Sequence, residues 1–262
     1  MTLHDQTFVV TGAASGIGAA TAALLRASGA EVIGVDRNPA PEFPGTFVQG
    51  DLSTAEGVAA VADRVPHGIT GLLNIAGVPG TAPWRLVLSV NVFGLRDLTR
   101  ALLPKIADGG VVVNLASSVA NGWAARSAEV ARFAGAEDRA AALDAVAADP
   151  EVTGNSYRFS KECVRWLTLS AAAENLGRVR VVSVSPGPVQ TPILEDFKKD
   201  HGRDKVEGAV ALLGRAGEPG DIARTIAFLV GPGAAWINGT DICVDGGLGA
   251  HRATTAALAA NA

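Results

Sequence analysis

Seven short apolar runs alternate along the chain with longer Ala- and Leu-rich segments of helical character, and this alternation limits the folds open to it. The predicted strands are 8–10, 31–35, 46–48, 72–75, 111–115, 179–184 and 241–244, and the predicted helices are 18–28, 54–65, 86–107, 156–176 and 219–230. Such alternation favours a parallel sheet with helices on both faces. Most of the strands are continuously apolar, as strands buried on both sides are, so we predict a doubly wound α/β fold of Rossmann type.

The chain has 262 residues and shows neither an internal repeat nor a linker, so we predict one domain over 1–262. Two stretches interrupt the alternation. Residues 120–154 are predicted to be a helical insertion before the helix at Ser156, and the polar stretch 188–216 is predicted to be a substrate lid. The tail after Gly249 is weakly patterned, and we expect it to fray.

Composition and charge exclude several classes of function. The net charge is −4 and no basic cluster occurs, so we expect neither nucleic-acid nor acidic-membrane partners. We predict no signal peptide and no membrane span, because no basic start precedes an apolar core and no apolar run reaches about 18 residues. Cys163 and Cys243 lie in apolar runs and are predicted to be reduced core thiols of a cytoplasmic protein, with a disulfide as the alternative. The four histidines lack metal-ligand spacing, so we expect no metal site.

The first predicted strand leads directly into a glycine-rich turn that opens a helix. The segment from Thr11 to Gly18 reads Thr-Gly-Ala-Ala-Ser-Gly-Ile-Gly. Glycines in such a turn let backbone N–H groups approach a pyrophosphate, and the positive end of the helix then faces the anion. The spacing differs from the commonest dinucleotide fingerprint, so a plain strand–helix turn remains the alternative.

Asp36 supports the dinucleotide interpretation, because it ends the second predicted strand about 20 residues beyond the glycines. An acid at this place accepts hydrogen bonds from the adenosine ribose hydroxyls and repels a 2′-phosphate. Neither Ala13 nor Ala14 is basic, although Arg37 offers a possible phosphate contact. The sequence therefore favours NAD over NADP.

Tyr157 and Lys161 are spaced i, i+4 on a predicted helix, which places both side chains on one helix face. A phenol is a poor base at neutral pH, and a neighbouring ammonium lowers its pKa. Such a pair can exchange a proton with an alcohol or carbonyl oxygen. Tyr157 is also the only tyrosine in a chain that has eight Phe and four Trp, which suggests that its hydroxyl is retained for a purpose.

Several motifs in order along the chain resemble the classical short-chain dehydrogenase/reductase family. They are the glycine turn, Asp51-Leu52, Asn74-Ile75-Ala76-Gly77, Val90-Asn91-Val92-Phe93-Gly94, Leu115-Ala116-Ser117-Ser118-Val119, the Tyr157–Lys161 pair, Pro186-Gly187-Pro188-Val189-Gln190-Thr191 and Asp245-Gly246-Gly247. The resemblance covers nearly the whole chain.

The resemblance implies a catalytic tetrad of Asn91, Ser118, Tyr157 and Lys161. Tyr157 exchanges the proton and Ser118, chosen over its neighbour Ser117, hydrogen-bonds the substrate oxygen. Lys161 holds the nicotinamide ribose and lowers the pKa of Tyr157, and Asn91 supports a water of the proton relay. The cofactor contacts implied are Gly12, Ser15, Gly16, Ile17, Gly18, Asp36, Asp51, Leu52, Asn74, Ala76, Gly77, Tyr157, Lys161, Pro186, Gly187, Val189 and Thr191.

Within the family, the chain is most similar to the bacterial 3α-hydroxysteroid dehydrogenase/carbonyl reductase subgroup. It shares with this subgroup a long insertion before Tyr157 and the runs 51–57 and 89–94. The similarity implies a hydrophobic secondary alcohol or its ketone, such as a steroid, terpenoid or cyclic alcohol. Trp84, Trp123, Leu194 and Phe197 are candidates for the pocket wall, and plain core or surface positions are the alternative for each.

Two other functions remain open at this point. One is a 3-oxoacyl-thioester reductase, against which Asp36 and the acidic charge balance argue, and the other is a non-catalytic NAD-binding regulator. Members of the family are commonly homodimers or homotetramers, and we expect the same here. The insertion could cover or remodel the helix face that often forms the interface.

Overall fold

The structure, a computed structural model, describes residues 2–259 apart from the side chain of His201. Met1 and residues 260–262 of the predicted single domain lie outside the described residues. The strands are β1 Thr7–Thr11, β2 Glu31–Asp36, β3 Phe47–Gln49, β4 Ile69–Asn74, β5 Ile106–Leu115, β6 Arg180–Pro186 and β7 Asp241–Val244. They form one parallel sheet in the order β3-β2-β1-β4-β5-β6-β7, which confirms the predicted fold class.

Helices connect the strands. They are α1 Gly16–Ala27, α2 Ala55–Asp63, α3 Trp84–Leu88, α4 Leu95–Leu102, α5 Ser127–Ala134, α6 Arg139–Ala145, α7 Pro150–Thr153, α8 Ser156–Glu174, α9 Leu194–His201, α10 Arg203–Leu213, α11 Pro219–Val230 and α12 Leu248–Ala259. A π-helical turn covers Ser89–Gly94, and 3-10 turns cover Leu103–Lys105, Ser118–Ala120, Trp123–Arg126 and Pro232–Ala234.

Both faces of the sheet are covered, as the continuously apolar strands predict. Val10 of β1 belongs to a core with Leu25 of α1 and Ile226 of α11. Its neighbour Val9 points to the opposite face and belongs to a second core with residues of α2, α4 and α8, such as Leu98. Successive strand residues point to opposite faces, so a strand needs apolar residues throughout to serve two cores.

The prediction of one helix over 86–107 is wrong. The structure has α3, the π-helical turn, α4 and a 3-10 turn in this stretch, and β5 begins at Ile106. Pro104 lies in the 3-10 turn, where a residue without a backbone N–H prevents further α-helix. The sequence predicts only the part of β5 from residue 111 onward, because Asp108, Gly109 and Gly110 interrupt its apolar run.

The predicted insertion is helical, and its helices α5 to α7 pack on α8. Val130, Phe133 and Val152 are buried there against Phe159 and Cys163. The rings of Phe133 and Phe159 lie 5.2 Å apart in an edge-on arrangement. The insertion therefore covers part of the face of α8 within the same chain.

Two expectations for the C-terminal part of the chain are wrong. The tail forms α12 up to Ala259, since its alanines favour helix even without an apolar stripe. Cys243, expected in the core, is exposed because β7 is an edge strand, whereas Cys163 is buried. Both are free thiols.

Within residues 2–259, no helix combines the length and apolar character that a membrane crossing requires.

Buried amides and hydroxyls fasten the centre of the sheet to the helices behind it. Asn74 Nδ2 at the end of β4 donates to Thr99 Oγ1 of α4 and to Asn114 Oδ1 of β5, each at 2.9 Å. Asn114 Nδ2 donates to Thr168 Oγ1 of α8 at 3.0 Å. All four side chains are buried, so each bond is protected from competition with water.

Asn114→Ala should lower the free energy of unfolding by about 3 kcal/mol, because it removes two buried hydrogen bonds and leaves a small cavity. Urea unfolding would measure the change. Asn38→Ala, in an exposed turn, is the control and should change the free energy of unfolding by less than about 0.5 kcal/mol. Equal effects of the two substitutions would contradict the importance of the buried network.

Candidate active site

A cavity of about 800 Å³ opens along the carboxyl ends of the strands. In a parallel α/β sheet this edge carries the ligand site, because strand ends and helix N-termini meet there. Among the predicted site residues, those that line the cavity are Gly12, Ser15, Gly16, Ile17, Gly18, Asp36, Asp51, Leu52, Ala76, Gly77, Ser118, Tyr157, Lys161, Pro186, Gly187, Val189 and Thr191. Asn74 and Asn91 do not line it and lie behind its wall.

The glycine turn brings the N-terminus of α1 close to the end of β1. Gly12 and Gly16 have φ angles of +71° and +55°, in the region that side chains rarely adopt. A Cβ atom on Gly18 would lie 2.1 Å from the carbonyl oxygen of Gly12, so no side chain fits there. The backbone N–H groups of the first turn of α1 therefore face the cavity, an arrangement that suits an anionic pyrophosphate.

Asp36 lies beside the glycine turn at the end of β2. Its Oδ2 accepts a hydrogen bond from the backbone N–H of Ala14 at 3.1 Å, and its Oδ1 accepts one from Asn38 at 2.9 Å. The carboxylate is thereby fixed at the cavity wall with lone pairs to spare for further donors. Residues 74–77 are fixed in a similar way, since Thr11 Oγ1 accepts from the N–H groups of Ile75 and Ala76, each at 3.0 Å.

Tyr157 and Lys161 are both almost completely buried on α8. Lys161 Nζ donates to the carbonyl oxygen of Leu115 at 2.7 Å and lies 5.6 Å from the centre of the Tyr157 ring. Burial lowers the pKa of Lys161 from its usual 10.5 to about 8, because it disfavours the ammonium ion.

The pKa of Tyr157 is raised well above its usual value. Burial is the main cause, a hydrogen bond with Ser117 opposes it, and the nearby Asp200 carboxylate raises the pKa further. Lys161, which the resemblance implied would lower this pKa, is not among these causes, and desolvation determines the direction of the shift.

Ser117, the neighbour of the predicted Ser118, forms a hydrogen bond with Tyr157. Ser117 continues the extended backbone beyond β5, with φ −166° and ψ 151°, whereas Ser118 begins the 3-10 turn. The backbone conformation therefore changes between the two serines, and their side chains are not equivalent. Both serines line the cavity, so the role of Ser118 at the substrate oxygen stays a prediction, with Ser117 as a second candidate for it.

Asn91 lies in the π-helical turn and is buried. Its Oδ1 accepts from the N–H of Val78 at 2.9 Å, and its Nδ2 donates to the carbonyl oxygen of Val78 at 3.1 Å and to Ser160 Oγ at 3.1 Å. Ser160 Oγ in turn donates to the carbonyl oxygen of Tyr157 at 2.7 Å. The Asn91 side chain thus ties the loop after β4 to the first turns of α8, which carry Tyr157.

The surroundings of Tyr157 are apolar. Val78 and Val87 are buried against it, and Val119 packs on the same cluster. Phe197 of α9 lies over the tyrosine ring, with centroids 4.9 Å apart at 58°. Of the aromatic and aliphatic residues predicted to line a pocket, Leu194 and Phe197 do so.

Trp84 and Trp123 do not line the cavity. Trp84 packs against the core formed by the insertion and α8, and the guanidinium of Arg85 lies 4.7 Å from its ring centre. Trp123 lies in a 3-10 turn of the insertion.

Sequence reasoning missed Ser160, because a serine inside a helix, three residues after Tyr157, is too common to indicate a site. No group of three His, Cys, Asp or Glu side chains within residues 2–259 is arranged to hold a metal ion.

Comparison with known proteins adds to this geometry. Residues 6–131 match the family model described as short chain dehydrogenase, and residues 140–249 match the related model described as enoyl-(acyl carrier protein) reductase. The chain is 41% identical to coniferyl-alcohol dehydrogenase of Pseudomonas sp. (strain HR199 / DSM 7063), over 95% of this chain and 98% of that protein.

The second relative is 3-alpha-hydroxysteroid dehydrogenase/carbonyl reductase of Comamonas testosteroni, at 35% identity over 92% of this chain and 96% of that protein. Among solved structures, the 3-alpha-hydroxysteroid dehydrogenase from Pseudomonas sp. B-0831, complexed with NADH, has a TM-score of 0.82 and 38% identity and covers 94% of this chain and 98% of its own. The chain therefore belongs to the short-chain dehydrogenase/reductase family, nicotinamide-dependent oxidoreductases that act on alcohol groups.

Proposed function

We propose that the protein is an NAD-dependent dehydrogenase that interconverts a hydrophobic secondary alcohol and its ketone, with Tyr157 as the acid/base. The observation that carries the proposal is the position of Tyr157: its hydroxyl is hydrogen-bonded by Ser117, surrounded by apolar side chains and part of the same cavity as the glycine turn. A substrate oxygen placed at this hydroxyl lies in a site from which water is largely excluded.

The preference for NAD rests on Asp36. A carboxylate held at the end of β2 beside the glycine turn accepts ribose hydroxyl groups and repels the 2′-phosphate of NADP. The solved relative from Pseudomonas sp. B-0831 was complexed with NADH, which supports the same preference. The glycine turn and the N-terminus of α1 would hold the pyrophosphate, and Gly187, Val189 and Thr191 would flank the nicotinamide.

NAD, when bound, supplies the acceptor for the hydride of the carbinol carbon, and the protein supplies the proton transfer. In the oxidation direction Tyr157 takes the hydroxyl proton of the alcohol, and in the reduction direction it donates its own proton to the carbonyl oxygen. Ser117 takes over the role expected of Ser118, because its hydroxyl bonds Tyr157 and can also bond the substrate oxygen. Lys161 would hold the nicotinamide ribose, and Asn91 positions α8 through Ser160.

The substrate class follows from the apolar wall and from the relatives. Phe197, Val78 and Val119 offer flat and branched apolar contacts next to the reacting oxygen. One relative acts by name on a hydroxysteroid and another on coniferyl alcohol, so a ring-bearing alcohol fits both. The identity of 41% with the latter makes a primary aryl allylic alcohol the second candidate. A 3-oxoacyl-thioester fits less well, since Asp36 disfavours NADP.

Three further expectations belong to this proposal. Residues 188–216 form α9 and α10 above the cavity and would act as a lid over the substrate. A homodimer or homotetramer would use surfaces other than the face of α8 that the insertion covers. The free thiols suit the reducing cytoplasm.

Tyr157→Phe should abolish NADH formation from NAD and a hydrophobic secondary alcohol, lowering kcat by about 1000-fold or more, because positioned acid/base catalysis contributes on this scale. The assay would use a panel of steroid, cyclic and aryl allylic alcohols, with NAD and NADP side by side. NAD binding, measured by nucleotide titration, should be unchanged. Normal turnover in the variant, or a preference for NADP, would contradict the proposal.

Ser117→Ala and Ser118→Ala form a matched pair that separates two neighbouring hydroxyls. Ser117→Ala should lower kcat by roughly 100-fold, since it removes a hydrogen bond at the reacting oxygen. Ser118→Ala should remain within a few-fold of the parent enzyme. The reverse pattern would restore the original assignment of Ser118. Both variants should unfold at the same urea concentration as the parent.

Lys161→Met should remove a pH-dependent cost of folding. In the parent, the buried ammonium destabilises the native state at every pH below about 8, and this cost disappears between pH 8 and 10.5 as the native amine loses its proton first. The gap in free energy of unfolding, variant minus parent, should therefore fall by about 3 kcal/mol from pH 7 to pH 10.5. A gap that is independent of pH in urea unfolding would show that Lys161 has an ordinary pKa.

A further inference from the structure

One face each of α10 and α12 lines part of the cavity. Lys205, Val206 and Ala209 line it from α10, spaced i, i+1 and i+4. Leu248, Gly249, Arg252 and Ala253 line it from α12 with the same periodicity. A spacing of four residues places side chains on one helix face, so two helix faces are turned toward one channel.

The two helices approach each other near Gly246 and Leu213, and each carries one cation away from this contact. A Cβ atom on Gly246, just before α12, would lie 3.1 Å from Leu213 Cδ2 at the end of α10. Lys205 lies two turns back along α10 from that contact, and Arg252 lies one turn into α12. Both cations are exposed, whereas Ala209 is buried and Val206 is half-buried, so the two charges lie where the cavity opens to solvent and Val206 and Ala209 lie deeper in its wall.

Lys205 and Arg252 have neither an ion pair nor a side-chain hydrogen bond within the described part of the chain. Neighbouring cations of the lid are paired: Lys198 with Glu195 and Glu207, and Lys199 with Asp196. Two uncompensated positive charges at the mouth of an apolar cleft attract an anion, because the low-dielectric walls focus their field.

The carboxylate of Asp200 places a negative charge near Tyr157, in contrast to the two cations. Asp200 lines the same cavity and contacts the backbone of Gly80, where an added Cβ would lie 2.2 Å from Asp200 Oδ2. Its charge acts on Tyr157, the acid/base of the proposed reaction. Asp200 therefore disfavours an anion near the reacting oxygen, while the mouth favours one at a distance.

We propose that Lys205 and Arg252 are specificity-determining residues that bind a carboxylate at the end of the substrate opposite the reacting hydroxyl. This inference rests on the proposed function and narrows its substrate class to amphipathic alcohols: an apolar body along Phe197, Val206 and Ala209, and an anionic terminus at the mouth. Arg252 can bind both carboxylate oxygens through its planar guanidinium, and Lys205 adds a second, point-like charge.

The test compares two ligands that differ only in the distal charge: a hydroxysteroid whose side chain ends in a carboxylate, and its methyl ester. Binding to the NAD-loaded protein would be measured by calorimetry, and turnover would be measured separately. The parent should bind the acid more tightly than the ester. The double variant Lys205→Gln/Arg252→Gln should weaken acid binding roughly tenfold, since an exposed ion pair contributes up to about fivefold, and should leave the ester unaffected.

Lys199→Gln is the matched control, because Lys199 is an exposed cation of α9 that pairs with Asp196 and does not line the cavity. It should bind both ligands like the parent. Added salt should reduce the preference of the parent for the acid and have little effect on the double variant, since salt screens exposed charges.

Three outcomes would overturn the inference. They are equal binding of acid and ester by the parent, a preference for the acid that survives in the double variant, and weaker NAD binding in the double variant, which would assign the cations to the cofactor. Oxidation of the ester without any advantage for the acid would support the proposed function and reject the anion site. Tighter binding of the acid without oxidation of either ligand would support the anion site and reject the proposed function.

Discussion

Parallel pairing of all seven strands is the constraint on which the rest of this structure depends. Parallel strands end at the same edge, so the turns after β1 to β6 meet there although their residues are far apart in sequence. The glycine turn, Asp36, Ser117 and the segment from Pro186 reach one cavity for this reason. Parallel strands also need crossover helices, and the N-terminus of α1 thereby comes to face the same cavity.

Two layers of buried polar contacts hold α8, which carries the proposed acid/base Tyr157, in that frame. Asn114 of the sheet accepts from Asn74 and donates to Thr168, which fastens the middle of α8 to the central strands. Asn91 bonds Ser160 and the loop at Val78, which fastens the first turns of α8 to the cavity wall. These two sets of contacts fix α8 at its middle and at its first turns. Tyr157 is therefore held in position although Asn155, at the N-terminus of α8, provides no side-chain cap.

The sequence allowed the parts of this site that depend on local spacing to be predicted. The glycine turn follows a strand and opens a helix, and Tyr157 and Lys161 share a helix face, because both patterns are set by neighbours along the chain. The choice between Ser117 and Ser118 is different in kind. It depends on the phase of an extended segment after β5, and that phase is set by pairing with β6, about 70 residues later, where the N–H of Ala116 bonds the carbonyl oxygen of Val184. The break in the predicted 86–107 helix had a local signal in Pro104, whereas the π-helical turn at Asn91 had none.

Burial determines the resting protonation state of Tyr157 and Lys161, the proposed catalytic pair. It raises the pKa of Tyr157 and lowers that of Lys161 only to about 8, so phenol and ammonium coexist at neutral pH. In the proposed reaction this state would let Tyr157 donate a proton to a carbonyl oxygen at once, whereas alcohol oxidation would first require the phenol to lose its proton in an apolar site. Ser117 is the group in position to lower that cost, since its hydrogen bond favours the phenolate, and the Asp200 carboxylate of α9 increases it. In the proposed reaction, the balance between the two directions would therefore depend on the Ser117 hydroxyl after β5 and the Asp200 carboxylate of α9 as well as on Lys161.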